Sequence, residues 1–389
     1  MVEEIEQQQK SIERVLKAIE VIKHGGMVIM TDDENRENEG DLVFAASEVC
    51  ADKINFLAKE ARGLICLTLE SHIVKKLHLP MMEAQGSAST KMATAFTVSI
   101  EAREGVTTGI SAADRARTIS VAIDDKTKPS DIVVPGHIFP LKAKDGGVLE
   151  RAGHTEGSVD LARLAGKKPA AVICEIMNDN GEMARLPDLE KFSEKFEIPI
   201  VSIEDLITFR LLKDNLVEEV QRRPFETAYG TYTGVWFQSK VDCRAHFALV
   251  KGNDFENNAV DVRVHKQRPL TDVFTSEEKG ARGRIEFGLR MLRDHENAVF
   301  LYLSAEDHNE AILTDMNTSI EGIGEESEVN EHSIRSFDSR LYGIGAQILR
   351  NLGVKKMRVH LSSKRSIKGL GGFGLEITDM KLLNSQDGV

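Results

Sequence analysis

Apolar positions along the chain alternate between helical and extended spacing. Ile12, Val15, Leu16, Ile19 and Ile22 keep the three-and-four spacing of an amphipathic helix, which Gly25-Gly26 ends. Two short apolar runs follow, MVIM at 27–30 and LVFAA at 42–46, each long enough only for a strand. Residues 52–62 read as a helix with Gly63 just past its end, and LICLTL at 64–69 as a buried strand. Phe96, Val98 and Ile100 alternate as a strand should, and Ser111 with Asp114 forms the capping box of a following helix. AVICEIM (171–177) is a buried strand running to an Asn180-Gly181 turn, IPIVSI (198–203) another strand, and EDLITFRLL (204–212) a helix. VVPGHIFP (133–140) reads as a rigid turn around Pro-Gly-His.

The remainder begins with strand-like TGVWFQ, AHFALVKG and AVDVRVH and continues with helical RLYGIGAQILRNLG and the strand VKKMRVHL. Strands interleaved with helices, but joined in part by hairpins, predict an α/β (α+β) chain. It has a layered N-terminal domain with a mixed sheet flanked by helices, then a second α/β domain. All four tyrosines and the single Trp236 fall after residue 225. With the charged stretch RLLKDNLVEEVQRRP, this places one domain at 1–212, a linker at 213–225 and a second domain at 226–389.

Composition changes this picture little. With 389 residues, 41% hydrophobic and 29% charged, the chain is of ordinary globular type. Cys50, Cys66, Cys174 and Cys243 form neither a close pair nor a CxxC, which speaks against a disulfide framework and a cysteine-rich zinc site. No apolar run approaches a membrane span, and the opening MVEEIEQQQK is too polar and acidic for a targeting signal, so a reducing cytoplasmic setting is expected. A net charge of −12 disfavours nucleic acid as partner but leaves room for a small phosphorylated ligand.

Four constellations carry candidate chemistry. TDDENRENEGD (31–41) places six carboxylates and Arg36 between two core strands, which fits either a solvated acidic loop or a Mg²⁺ site. GGVLERAGHTEGSVDLARLAG (146–166) sets Arg151, His154 and Thr155 at the mouth of a helix, with Thr155 as N-cap, an arrangement suited to phosphate. His137 is fixed by the Pro-Gly turn. Glu175 lies in an apolar strand, where a carboxylate must be paired, protonated, working or at a solvated strand end. Together they supply a metal cluster, a phosphate anchor, a histidine and a carboxylate, the parts needed to enolise a sugar phosphate.

These stretches, with AFTVSIEAREGVTTGISAADR, KPSDIVVPGHIFPLKA and CEIMNDNGEMAR, resemble 3,4-dihydroxy-2-butanone 4-phosphate synthase in order through about residues 12–210. The resemblance implies conversion of ribulose 5-phosphate to 3,4-dihydroxy-2-butanone 4-phosphate and formate in riboflavin biosynthesis, with Mg²⁺ or Mn²⁺, by a homodimer whose active sites lie at the interface. It implies Glu37 and His154 as metal ligands and Arg36, Glu37, Asp41, Arg151, Ala152, Gly153, His154, Thr155 and Glu175 as substrate-binding residues. His137 and Glu175 would be the catalytic pair, with Cys66, Thr108 and Asp114 nearby. RAGHT stands where the family's common form is RGGHT, so Ala152 is tolerated unless that backbone needs positive φ.

The C-terminal half is similar to GTP cyclohydrolase II in FDSRLYGIGAQILRNLGVKKMRVHL, with Asp338 and Arg340 at the family's catalytic Asp and nucleophilic Arg. VRVHKQRPLTDVF departs from it: Arg268 stands at the first of three zinc cysteines, and no cysteine follows Cys243. The family's nucleotide-binding stretch is replaced by SAEDHNEAIL, and GLGGFGLEI is no phosphate loop. A degenerate domain without zinc or cyclohydrolase activity is therefore expected, serving as a folded support or as a regulatory binder of a nucleotide or flavin, with a true bifunctional enzyme as the alternative. His265 and other histidines or carboxylates would have to build a different metal site, and no spacing announces one.

Overall fold

The computed structural model describes residues 2–34, 36–82, 94–253, 255, 258–274, 281–304, 331–361 and 373–382. The chain forms two compact units, Gln9–Arg210 and Leu211–Val389 together with Met1–Gln8.

Among the described residues, the first unit is built on a seven-stranded mixed sheet in the order β4-β5-β3-β6-β2-β1-β7. These strands are β1 (Val28–Thr31), β2 (Gly40–Ala45), β3 (Cys66–Leu69), β4 (Ile100–Ala102), β5 (Ile132–Lys142), β6 (Ala170–Glu175) and β7 (Ile200–Ser202). Its helices are α1 (Val2–Lys23), α2 (Ala51–Phe56), α3 (Ser71–Lys76), α4 (Ala112–Ile123), α5 (His154–Leu164), α6 (Leu186–Phe196) and α7 (Ile203–Lys213). β1, β2 and β3 are buried at every residue, because helices cover both faces. That is why they read as unbroken apolar runs instead of alternating ones. Ile29, Leu42, Phe44, Leu67 and Leu69 join Ile54 of α2 and Ile119 of α4 in one core layer. The intervening residues meet α5: Thr68 Oγ1 lies 2.8 Å from Ser158 Oγ. A Cβ on Gly157 would come within 2.6 Å of Met30 Sδ, so α5 rests directly on β1.

The expected turn at 133–140 is instead part of the eleven-residue strand β5. Its ladder with β4 nevertheless skips, from Ile138 opposite Ile100 to Val133 opposite Glu101. Pro135, with no N–H to donate, falls in that bulge together with His137. The expected helix 52–62 is α2 continued by a π turn, Leu57–Ala61, and closed by Arg62 in the left-handed region.

The second unit carries another seven-stranded mixed sheet, β14-β13-β11-β12-β10-β9-β8, among the described residues. Its strands are β8 (Val217–Thr227), β9 (Gly230–Ser239), β10 (Ala245–Lys251), β11 (Val260–Lys266), β12 (Ala298–Leu303), β13 (Lys356–Leu361) and β14 (Glu376–Leu382). The helices are α8 (Thr271–Phe274), α9 (Ala281–Asp294) and α10 (Glu331–Asn351). Most of the stretch expected as linker is thus β8, hairpin partner of β9. Asp338 and Arg340 lie on α10, where only the backbone is described. SAEDHNEAIL after Ser304 and the start of GLGGFGLEI lie outside the described residues. No described helix is long and apolar enough to cross a membrane.

Candidate active site

The acidic loop joins β1 to β2, and its crowding is resolved from within. The enclosed carboxylate of Asp32 accepts the backbone N–H groups of Glu37 at 3.1 Å and Glu39 at 2.8 Å and the Arg36 guanidinium at 2.8 Å. Arg36 also donates to Glu37 at 2.7 Å, and Arg185 donates to the Glu37 and Asn38 carbonyls. One internal cation and two backbone amides therefore offset the Asp32 charge in a loop that the sequence alone left between a solvated acidic loop and a metal site.

A cation position remains beside this loop. His154 opens α5, and its Nε2 lies 3.2 Å from the Met30 carbonyl. A carbonyl only accepts, so Nε2 carries the proton and Nδ1 presents a lone pair. That lone pair faces Glu37 Oε2 across 4.0 Å, and Asp32, Glu37 and His154 offer donor atoms within 4.8 Å of one another. Two lone-pair donors facing one another, with the imidazole's other nitrogen tied to a carbonyl, fit a divalent ion between them. Burial holds the His154 imidazole below its usual range, which keeps that lone pair available.

The N-cap of α5 is Gly153, not the expected Thr155, and no side chain caps it. Thr155 is buried in the first turn. A Cβ on Gly153 would lie 2.4 Å from Arg151 Nη1, which pairs with the buried Glu156 at 2.7 Å. Arg151 thus arrives at the helix mouth already oriented. Ala152 is not among the residues with positive φ, so its methyl group costs nothing there.

Asp41 and Glu175 are ladder partners on β2 and β6. Burial, then the Glu175 carboxylate and the loop carboxylates, push Asp41 well above the usual carboxylate range. Glu175 Oε2 accepts the Leu64 N–H at 2.8 Å, and the side chain lines an open cleft of about 440 Å³ with Glu39, Arg62, Gly63, Leu64, Met177 and Met183. Cys66 is buried in β3 and its thiol is pushed up by burial and by Glu175, so it is a packing residue rather than a nucleophile.

His137 bonds to a residue that the sequence did not point to. Its Nδ1 lies 2.6 Å from Glu101 Oε2, and Glu101 Oε1 accepts the Thr118 hydroxyl at 2.7 Å. The carboxylate fixes the proton on Nδ1 and leaves Nε2 as the free base. Gly109 makes room for the pair, since a Cβ there would stand 2.1 Å from Glu101 Oε2 and 2.4 Å from His137 Nδ1. Asp114 holds that glycine's loop, accepting Thr107 Oγ1 at 2.7 Å and the N–H groups of Thr107 and Gly109 at 3.0 Å each. Asp114 is therefore a brace, and Thr108 is exposed on the loop it braces. His137 and Glu175 do not touch. β3 lies between their strands, so their backbones stand about 10 Å apart.

Comparison with known proteins points the same way. Residues 16–209 match the family model of 3,4-dihydroxy-2-butanone 4-phosphate synthase, and residues 218–381 that of GTP cyclohydrolase II. A 3,4-dihydroxy-2-butanone 4-phosphate synthase of Neisseria meningitidis is 45% identical over 92% of this chain and 94% of its own length. Riboflavin biosynthesis protein RibBA of Synechocystis is 44% identical over 93% of this chain, which spans 66% of that protein. The solved structure of RibBX, a two-domain synthase from A. baumannii, is 41% identical and superimposes with a TM-score of 0.75, covering 94% of this chain and 99% of the other.

Proposed function

Because the chain belongs to the 3,4-dihydroxy-2-butanone 4-phosphate synthase family of riboflavin biosynthesis, fused to a GTP cyclohydrolase II domain, we propose how its residues divide the lyase reaction on ribulose 5-phosphate. Residues up to about 212 act as the synthase domain. Arg151 and the first backbone N–H groups of α5 take the phosphate. Glu37 and His154 hold Mg²⁺ or Mn²⁺, which supplies Lewis-acid polarisation of the substrate's carbonyl and hydroxyl oxygens when bound. Arg36 keeps Glu37 aimed at the ion position. His137, its Nε2 left free by Glu101, removes a proton from carbon, and Glu175 with the buried Asp41 beside it exchanges protons at the opposite end of the five-carbon chain. The observation that carries this reading is His154 Nδ1 facing the Glu37 carboxylate with its other nitrogen tied to Met30.

The proposed working form is a homodimer. Exposed apolar Leu64, Ile110 and Val134 adjoin the catalytic groups, as an interface would require. A reducing, cytoplasmic setting is the reading that the scattered cysteines support, the net charge of −12 speaks against nucleic acid as partner, and the lack of an apolar run of membrane-spanning length speaks against a membrane.

The expectation of a degenerate C-terminal domain needs narrowing, since the cyclohydrolase model matches it from 218 to 381. That match favours a second reading, GTP ring opening by this domain. The want of any cysteine after Cys243 speaks against a thiolate zinc centre for it. Formate release, measured separately with ribulose 5-phosphate and with GTP, tests both domains. Glu37→Gln is expected to abolish formate from the sugar phosphate without changing the melting temperature. Unchanged turnover and metal dependence in that variant would sink the assignment. Formate from GTP would establish the second activity.

A further inference from the structure

The loop between β1 and β2 is held from two sides, and only one of them is local. On the inner side Asp32 accepts the N–H groups of Glu37 and Glu39 and gives its own N–H to the Glu39 carbonyl at 3.3 Å. On the outer side one nitrogen of Arg185, Nη1, donates to the Glu37 carbonyl at 2.7 Å and also to the Asn38 carbonyl. That nitrogen carries two N–H bonds, one for each carbonyl. Between the two carbonyls the chain passes through Asn38, whose φ of 55° lies in the left-handed region. Such a turn costs any residue with a Cβ, and outside contacts must hold it. Arg185 is 148 residues from Glu37, so no sequence spacing announces the contact.

Arg185 is itself fixed to the strand that carries Glu175. Ile176, the residue after β6, donates its N–H to the Gly40 carbonyl at 2.9 Å and accepts the Ala184 N–H at 2.9 Å. Arg185 comes next in the chain. The Asp188 carboxylate takes its N–H at 3.3 Å and the Asn178 amide at 3.1 Å, which sets the start of α6. Leu189 of α6 lies against Gly40, where a Cβ would come within 2.4 Å of it. A closed ring of contacts therefore runs from the loop through Gly40, Ile176 and Ala184 to Arg185, and back to Glu37. Charge does not account for the guanidinium at this place. Among the described residues its bonds go to carbonyls and to no carboxylate. It also stands close behind a proposed ligand of a divalent cation, where a positive charge opposes that ion.

We propose that Arg185 is a positioning residue for the metal site. It clamps the Glu37–Asn38 peptide so that the Glu37 carboxylate meets His154, and it ties that carboxylate to the strand of Glu175. Its effect on the ion passes through the backbone of Glu37 and outweighs its own repulsion of the ion. The inference rests on Glu37 and His154 being the metal ligands.

Mn²⁺ binding to the full chain, freed of metal and without substrate, tests this, followed by loss of the free ion's electron spin resonance signal. Arg185→Met removes the donors and the charge. It is expected to raise the Mn²⁺ dissociation constant about tenfold, with the melting temperature little changed because the side chain is exposed. The sign of the change separates the explanations. A residue acting only by its charge would give tighter Mn²⁺ binding in Arg185→Met, and one that only supports the fold would lower the melting temperature and leave the affinity alone. A dissociation constant that falls, or stays within about threefold of wild type, therefore overturns the proposal. Glu37→Gln is titrated alongside. If it keeps wild-type affinity, the metal assignment fails and the role of Arg185 with it. If it loses Mn²⁺ while Arg185→Met does not, only the role of Arg185 fails. Should Arg185→Met not fold, Arg185→Gln, too short to span both carbonyls, is read against the same threshold.

Discussion

Glu101→Gln is the sharpest test of the proposed base. Thr118 Oγ1 accepts the Ala102 N–H at 3.1 Å and gives its own proton to Glu101 Oε1 at 2.7 Å. A glutamine in the same place keeps its carbonyl oxygen toward Thr118. Its amide N–H₂ then faces His137 Nδ1, which must accept instead of donate. The proton moves to Nε2, the atom proposed to take the substrate's proton, and the base is lost without loss of the histidine. A positioned base is worth about 10²–10⁴-fold, and removal of its orienting carboxylate in a comparable His–carboxylate pair costs about the upper end of that range. The His137 side chain is 43% exposed, so water can restore part of the correct tautomer. We therefore expect kcat to fall about 10²–10³-fold, or roughly 3–4 kcal/mol, with KM changed less than about threefold. Formate release gives kcat and KM, and a thermal melt shows that the fold survives. A folded Glu101→Gln protein within about fivefold of wild-type kcat would refute the reasoning.

Further expectations follow from backbone approach, buried thiols and one half-buried ion pair. In Gly63→Ala the new Cβ would stand 2.3 Å from Glu175 O and 2.7 Å from its N, backbone atoms that cannot step aside. A loss of at least about 2 kcal/mol by denaturant titration, with loss of activity through displaced Glu175, is expected. Cys50 and Cys243 are exposed, whereas Cys66 and Cys174 are buried and their thiols are pushed up, so a thiol reagent should modify the first two in the native chain and all four only after unfolding. Burial would raise the Asp205 carboxyl, but hydrogen bonds from Arg14, Ser11 and the Ser202 N–H outweigh it and hold the group below its usual range. Its stabilisation is complete above the unfolded carboxylate's pKa of about 4 and disappears as pH falls through the lower folded value. Arg14→Ala should cost about 2 kcal/mol near neutrality, and its melting temperature should converge on wild type as the solution is acidified toward about pH 2. A gap that persists in acid would contradict the pairing.

Much of this molecule is legible in its sequence, and what is not has physical reasons. β1, β2, β3 and β6 announce themselves because strands covered on both faces must be apolar throughout. The Ser111 cap is local, and its hydroxyl accepts the Asp114 N–H as expected, but the reciprocal half of the box does not form because the Asp114 carboxylate turns to Thr107 and Gly109. VVPGHIFP reads as a turn because Pro-Gly punctuates turns. The bulge that lets β5 carry both residues depends on β4, more than thirty positions away in the chain. Glu101 is missed for the same reason: its significance lies in a partner 36 residues distant. The acidic loop shows another limit. Composition reveals the crowded charge, but only the folded loop shows Asp32 drawing two amides and a guanidinium around itself.

That inward-facing Asp32 has a consequence for how the enzyme meets its ion. The loop's shape is set by amides and Arg36, so the ion inherits a finished seat and does not have to fold one. Little binding energy goes into ordering the chain, and little order is lost when the ion leaves. A chelated preparation should therefore regain activity on simple re-addition of metal, without a refolding lag.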